Sequence, residues 1–309
     1  MDLMQRLSGA VWGHLVGDAL GVPYEFTDPH DAADVIFRGH GTWNKPPGTW
    51  SDDGSLMLAV LESELERGFD PVDQAQRFLR WDGEGAYTPD GEGRFDIGGT
   101  TARALDRLRH GVAPTDAGPA EEQANGNGSL MRILPIALVE RDLPDAELAA
   151  HAHLSSRITH GHPLAQVSCA LYVLACRALL REMPRDGAIT SAAATLRAVY
   201  AESPDLAEHR SALAAVEAYT ERAGRTFVVD SLWSAWDAFA SADSYRDAVV
   251  RAVCYGNDTD TTASICGGLA GIYWGLDAIP GEWRSAMRGS SIVNPLVERL
   301  LATAAPPPA

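Results

Sequence analysis

Gly256-Asn257-Asp258-Thr259-Asp260-Thr261-Thr262-Ala263-Ser264-Ile265-Cys266-Gly267-Gly268-Leu269-Ala270-Gly271 carries the two features on which the fold reading turns. Its first half alternates carboxylates with hydroxyls directly before an apolar run. That pattern suits a helix start and presents hard oxygen ligands of the kind Mg²⁺, Mn²⁺ or Ca²⁺ prefers. Its second half puts several glycines inside the helix, each costing roughly 1 kcal/mol relative to alanine. Glycines so close together predict tight backbone packing, which makes this helix central and fixes Asp258 and Asp260. Asp-x-Asp alone fits a cap and a turn as well as a metal site.

Working outward, the helical period dominates. Leu3, Leu7, Val11 and Leu15 recur at helical spacing, as do Leu58, Leu61 and Leu65. Further helical stretches are expected over 135–139, 164–181, 191–200, 206–222, 231–240, 245–254 and 261–273. Strand signals are few, with 226–229 the one modest candidate. An all-α fold follows. Gly-, Pro- and Asp-rich segments over 23–49, 83–99 and 114–128 are long for helix–helix connections, and loops of that size are often functional. Nothing resembles an interdomain linker, so one domain is expected over 1–302, with 303–309 and its three prolines as a flexible tail.

The chain has 309 residues, 46% hydrophobic and 22% charged, the balance of a folded globular protein. Its 42 acidic and 25 basic side chains give a formal charge of −17, which argues against non-specific binding to nucleic acid or anionic lipid. An anionic ligand then needs cations or helix N-termini to receive it locally. Cys169, Cys176, Cys254 and Cys266 form no Cys-x-x-Cys pair and sit among apolar or small residues, so they read as reduced, buried cysteines of a cytoplasmic protein. No secretory leader is expected from the first residues, and the apolar run over 163–180 reads as a core helix rather than a membrane span.

Four other segments carry chemistry-bearing residues. Trp50-Ser51-Asp52-Asp53 ends a loop and starts a helix; one Ser or Asp suffices for capping, so two successive carboxylates exceed that need. Gly17-Asp18-Ala19-Leu20-Gly21-Val22-Pro23-Tyr24-Glu25, taken alone, reads as a helix end followed by a solvated glutamate. Asn125-Gly126-Asn127-Gly128-Ser129-Leu130-Met131-Arg132 permits positive φ and can offer backbone N–H groups to a phosphate. Thr159-His160-Gly161-His162-Pro163 has histidines two apart but no further zinc ligand, so capping or ligand contact is favoured.

Taken together these segments resemble the ADP-ribosylglycohydrolase family. The matching stretches are GDALGVPYEF (17–26), WSDD (50–53), DIGGTTARAL (96–105), NGNGSLMRILPIAL (125–138), THGHPLAQ (159–166) and GNDTDTTASICGGLAGIYWG (256–275). Each is weak singly; six in the family's order are specific. The resemblance implies a compact orthogonal multi-helix bundle with a binuclear Mg²⁺ or Mn²⁺ cleft. It implies metal ligands Ser51, Asp52, Asp53, Asp258, Asp260 and Thr261, with Glu25, Asp96 and Asp53 in catalysis. It implies that Gly126, Asn127, Gly128 and Ser129 hold the diphosphate and distal ribose, and that His160 lines the pocket. The first acidic motif departs from the family pattern, with Ser51 and Gly54 where threonines are usual.

The implied reaction is hydrolysis of the bond between ADP-ribose and an acceptor, foremost arginine on a protein, through an oxocarbenium-like state. Two divalent cations would orient the ribose and activate water. The partners implied are an ADP-ribosylated protein or a small ADP-ribosyl compound, with the chain itself a monomer. Other acceptors (serine, O-acetyl-ADP-ribose, nucleic acid) and a catalytically silent ADP-ribose binder are the alternatives. Phosphoester hydrolysis would use similar carboxylates.

Overall fold

The computed structural model describes residues 1–91 and 93–304, so the expected tail over 305–309 lies outside the described residues. The architecture is all-α. In chain order the helices are α1 (Leu3–Gly21), α2 (Asp52–Arg67), α3 (Pro71–Glu84), α4 (Gly99–Arg109), α5 (Pro114–Ala117), α6 (Leu134–Val139), α7 (Asp145–Arg157) and α8 (Pro163–Leu180). There follow α9 (Arg185–Ala201), α10 (Ala207–Ala218), α11 (Val228–Ala240), α12 (Tyr245–Cys254), α13 (Thr259–Trp274), α14 (Gly281–Ala286) and α15 (Ser290–Ala302). A continuous apolar core runs through them from Leu7 to Leu300.

Helices α1 and α13 form the centre. Gly9, Gly13, Gly17 and Gly21 recur every fourth residue and so lie along one face of α1. That face meets the backbone of α13 at Gly271, Gly267, Ala263 and Asp260, and a methyl carbon at any of the four glycines would collide with those backbone atoms. Gly267 and Gly271 are hemmed in reciprocally by the carbonyls of Gly13 and Gly9. The close approach is stapled from the side: Tyr245 donates to Gly13 O at 2.7 Å and Thr259 Oγ1 to Gly21 O at 2.8 Å. The inference that the glycine-rich helix is central therefore holds, and its partner is a second glycine face on α1.

Around this pair, α11 and α12 cover one side of α13, and α2 leans on α1, α6 and α15. The 163–180 run is α8, apolar and long enough to cross a bilayer by composition, with 83% of it buried in the fold. It packs against α6, α7, α9, α10, α11 and α13 as a core helix.

Two expectations need correction. The 226–229 segment is no strand: Phe227 makes an isolated bridge to Gly126, and α11 begins at Val228. One bridge with no further partner residues cannot propagate a ladder, so the chain turns directly into helix. Cys254, on the last turn of α12, is only half-buried, unlike Cys169, Cys176 and Cys266. After α15, Thr303 Oγ1 donates to Leu300 O at 2.7 Å, and its carbonyl accepts from Arg141 at 2.9 Å.

Gly17→Ala should force α1 and α13 apart. The expected loss is about 1–3 kcal/mol of unfolding free energy or more, as for other overpacked cores. Gly83→Ala on α3, where a methyl meets nothing within 4 Å, is expected to gain a few tenths to about 1 kcal/mol from helix propensity. Urea unfolding midpoints compare the two; a harmless Gly17→Ala would refute backbone contact as the reason for the glycine.

Candidate active site

The site begins where α1, α2 and α13 end or start. Ser51 caps α2, its Oγ accepting from Asp53 N at 3.3 Å. The first turn of α2 therefore holds Asp52 and Asp53 at its partially positive end. Asp18 of α1, fully buried, accepts from Ser51 N at 2.9 and 3.1 Å and from Gly54 N at 2.8 Å, which fixes this turn to the central helix pair. Gly54, the departure noted above, has a packing cause: a methyl there would stand 2.7 Å from Leu15 Cδ2 and from Trp50 Cδ1 and Cγ. The indole of Trp50 occupies the space that a side chain at 54 would need.

The two acidic motifs, about two hundred residues apart in sequence, meet at Asp53. Its Oδ1 accepts from Ser264 Oγ at 2.6 Å and its Oδ2 from Thr261 Oγ1 at 3.3 Å, both on α13. Asp258 Oδ2 accepts from Asn127 Nδ2 at 2.8 Å. Asp260 Oδ1 accepts from Thr261 N at 2.9 Å, whereas its buried Oδ2 has no hydrogen-bond donor among the described residues. Glu25, Asp258 and Asp260 each bring an oxygen within 4.8 Å of the others. Glu25 is buried, not solvated as the motif alone suggests. Its Oε2 accepts from the indole N–H of Trp43, and Thr42 Oγ1 donates to its carbonyl at 2.6 Å. Asp96, held at φ +53, shares the same wall.

Burial first, and the neighbouring carboxyls second, raise the pKa values of this cluster. Burial, then Asp96 and Asp258, push Glu25 up to about 10. Burial, then Asp258, bring Asp96 to about 6. Burial lifts Asp18 to about 7 against the pull of the Ser51 and Gly54 amides. Asp52, Asp53 and Asp260 are held well above the carboxylate range by burial first and neighbouring carboxyls second. Burial also raises Asp258. An all-oxygen donor set of this density, with an unpartnered oxygen on Asp260, fits hard divalent cations.

The carboxyls border a cleft of about 420 Å³, within the range of small-molecule sites. Its other wall is the 126–128 loop with His160 and Phe227. The loop is pinned by Asn127 N to Thr226 O at 3.0 Å and Val228 N to Asn125 O at 3.0 Å, so the Asn127 amide is already engaged. At Gly128 a methyl would press on His160 Cε1 and Thr101 Oγ1 at 2.9 Å; glycine lets the imidazole close over the loop. Burial, then Arg132 and Arg103, hold His160 down at about 3, so the ring is neutral. His162 caps α8, its Nδ1 accepting from Leu164 N at 3.1 Å, in line with the capping reading. Ser51, Ser129 and Asp260 lie behind the cleft lining; Ser129 Oγ is buried and accepts from Ser156 Oγ at 2.9 Å.

Sequence reasoning missed Trp43, Ser264 and Arg132, and read Asp18 as an ordinary helix-end residue. Arg132 is fully buried behind the 126–128 loop, donating to Gly128 O and, at 2.9 Å, to Ser155 O, with its guanidinium 4.7 Å from the Phe78 ring centroid. Burial lowers it only to about 10, so it keeps its charge. Its place in NGNGSLMR was visible; Trp43 lies in a loop with no pattern to mark it.

Comparison with known proteins identifies the family and the fold. The family profile described as ADP-ribosylglycohydrolase matches residues 1–308. The chain is 28% identical over 304 residues to the ADP-ribosylarginine hydrolase Tri1 of Serratia proteamaculans, covering 97% of this chain and 80% of that one. It is 29% identical to the ADP-ribosyl-[dinitrogen reductase] glycohydrolase of Rhodospirillum rubrum, covering 97% and 96%. A solved structure titled ADP-ribosylglycohydrolase-related protein complex superposes with a TM-score of 0.79 at 33% identity, over 98% of this chain and 99% of that one.

The carboxyl cluster sets a pH dependence. Groups whose folded pKa exceeds the unfolded value near 4 bind more protons when folded, so their stability contribution is greatest at low pH and is lost as pH rises. In chelator the melting temperature should therefore fall as pH climbs through about 6 and about 7, where Asp96 and Asp18 titrate. Saturating Mg²⁺ or Mn²⁺ should flatten that fall. Asp53→Asn should raise the melting temperature in chelator at about pH 8 and abolish most of the cation-induced rise; scanning calorimetry that finds neither would contradict the electrostatic picture.

Proposed function

Because the chain belongs to the ADP-ribosylglycohydrolase family and is a hydrolase of ADP-ribosyl glycosidic bonds, we propose that it frees ADP-ribose from arginine side chains of modified proteins, with divalent cations in the carboxyl cluster. The observation that carries the reading is the meeting of both acidic motifs at Asp53, beside three carboxyl oxygens within 4.8 Å of one another on the wall of a cleft. Ser51, Asp52, Asp53, Asp258, Asp260 and Thr261 would hold the cations. Such cations would supply Lewis-acid polarisation and a grip on the ribose hydroxyls.

The remaining work falls to the chain. The 126–128 loop and His160 receive the diphosphate and distal ribose, with the Arg132 charge behind them as a fixed counter-ion. A neutral His160 can accept or donate a hydrogen bond without repelling Arg132. As the C1–N bond breaks, water adds a hydroxyl to C1 and a proton passes to the departing guanidino nitrogen. Glu25, aimed by Trp43, is the group best held for that proton transfer. Asp96, across the same wall, faces the acceptor. Arginine is favoured over other acceptors because Asp96, outside the cation-holding set, lines the cleft as an acidic group complementary to a guanidinium, and because the Serratia relative is named for this linkage.

Incubation of an arginine-ADP-ribosylated protein with enzyme and Mg²⁺ or Mn²⁺ should liberate intact ADP-ribose. Glu25→Gln and Asp258→Asn should each lower kcat by about a hundredfold or more, the usual scale for a lost acid–base group. Release of phosphate in place of ADP-ribose, or turnover indifferent to both substitutions, would defeat the assignment.

A further inference from the structure

Phe26 combines features that ordinary packing does not explain. It follows Glu25 on the cleft wall, is 60% exposed, and holds φ at +57, a region bulky L-residues avoid. Two backbone hydrogen bonds impose that conformation: Phe26 N to Asn257 O at 2.5 Å and Asn257 N to Thr27 O at 2.9 Å. Asn257, next to Asp258, is itself left-handed at φ +57. The segment after Glu25 is thus clasped to the loop that carries the second acidic motif, and the clasp turns an aromatic ring outward. Burial of the ring cannot be what offsets the strain, because the ring is exposed. Strain of this kind gathers where a side chain must be presented to a ligand.

The neighbours define what the ring can take. Trp43 meets Phe26 edge to face with centroids 6.4 Å apart, and Phe95 lies 5.7 Å beyond Trp43. The same aromatic run already carries a cation, Lys45 Nζ at 4.8 Å from the Phe95 centroid. Glu25, which accepts from the Trp43 indole, and Asp96 line the same cleft as Phe26. An aromatic face bordered by acidic groups suits a flat organic cation, with the ring stacking on the plane and the carboxyls accepting from its N–H groups.

We propose that Phe26 is the acceptor-side specificity residue, its ring stacking on the guanidinium of the arginine being released. This inference rests on the arginine reading above. A serine acceptor has neither plane nor charge to use this face. Alanine at 26 keeps the backbone clasp and removes the ring, leucine keeps apolar bulk without a π face, and tryptophan restores one.

The experiment measures kcat/KM on an arginine-ADP-ribosylated peptide and the inhibition constant of free ADP-ribose, both at saturating Mn²⁺, for the wild-type enzyme and these variants. Phe26→Ala and Phe26→Leu should lower kcat/KM by about fivefold to tenfold, and Phe26→Trp should recover most of it. The inhibition constant should move by less than about twofold, because the product lacks the acceptor. A parallel loss in both measurements would mean the substitution damages the site generally and would overturn the inference. An unchanged kcat/KM in Phe26→Ala would overturn it alone, leaving arginine hydrolysis standing. Failure of the wild-type enzyme on arginine-linked ADP-ribose, with turnover of another linkage, would overturn both.

Discussion

Backbone-to-backbone contact between α1 and α13 is the constraint from which the site follows. Four glycines along α1 clear its side of the seam of side chains, so two helices distant in sequence approach until the Thr259 hydroxyl of one reaches the Gly21 carbonyl of the other. That approach brings the end of α1 to the start of α13, and Asp18 then draws the start of α2 against both. The acidic groups stand on helix starts braced by a rigid core, which gives them a precision that loops alone would not.

The seam also explains the electrostatic cost. Helix N-termini favour negative charge, but three elements supply several carboxyls to one buried corner, and burial, with their mutual repulsion added, exceeds what amide dipoles offset. Across the cleft the solution is different. There a neutral His160 and a charged Arg132 stand behind glycines that let backbone come near the cavity. A chain with formal charge −17 therefore has a wall backed by a buried cation facing a carboxyl-lined one, and net charge describes the far field only.

Much of this was legible in the sequence because ligand chemistry is local. Asp52, Asp53, Asp258 and Asp260 could be recognised as oxygen donors before helices, and the helical period of the apolar residues was strong enough to exclude a sheet. Proximity was not legible, since nothing in residues 50–53 specifies what lies beside them. The glycine period of α1 was in plain sight but was masked by Leu3, Leu7, Val11 and Leu15, which satisfy the amphipathic pattern by themselves. Asp18 looked like any residue near a helix end, because its importance lies in accepting from amides thirty-odd positions away. The 226–229 segment has β-branched and aromatic residues, yet its tertiary partner is one bridge at Gly126, so propensity had nothing to build on.

Gly54 and Trp50 carry an implication for how this corner can change over evolutionary time. The indole and the Leu15 methyl fill the volume a side chain at 54 would claim, so the two positions are coupled through packing: a threonine at 54 requires Leu15 and Trp50 to shift together. Trp50 also touches Gly289 and donates to Tyr87 O at 3.0 Å, so its replacement reaches the 289 turn and the 87 loop as well.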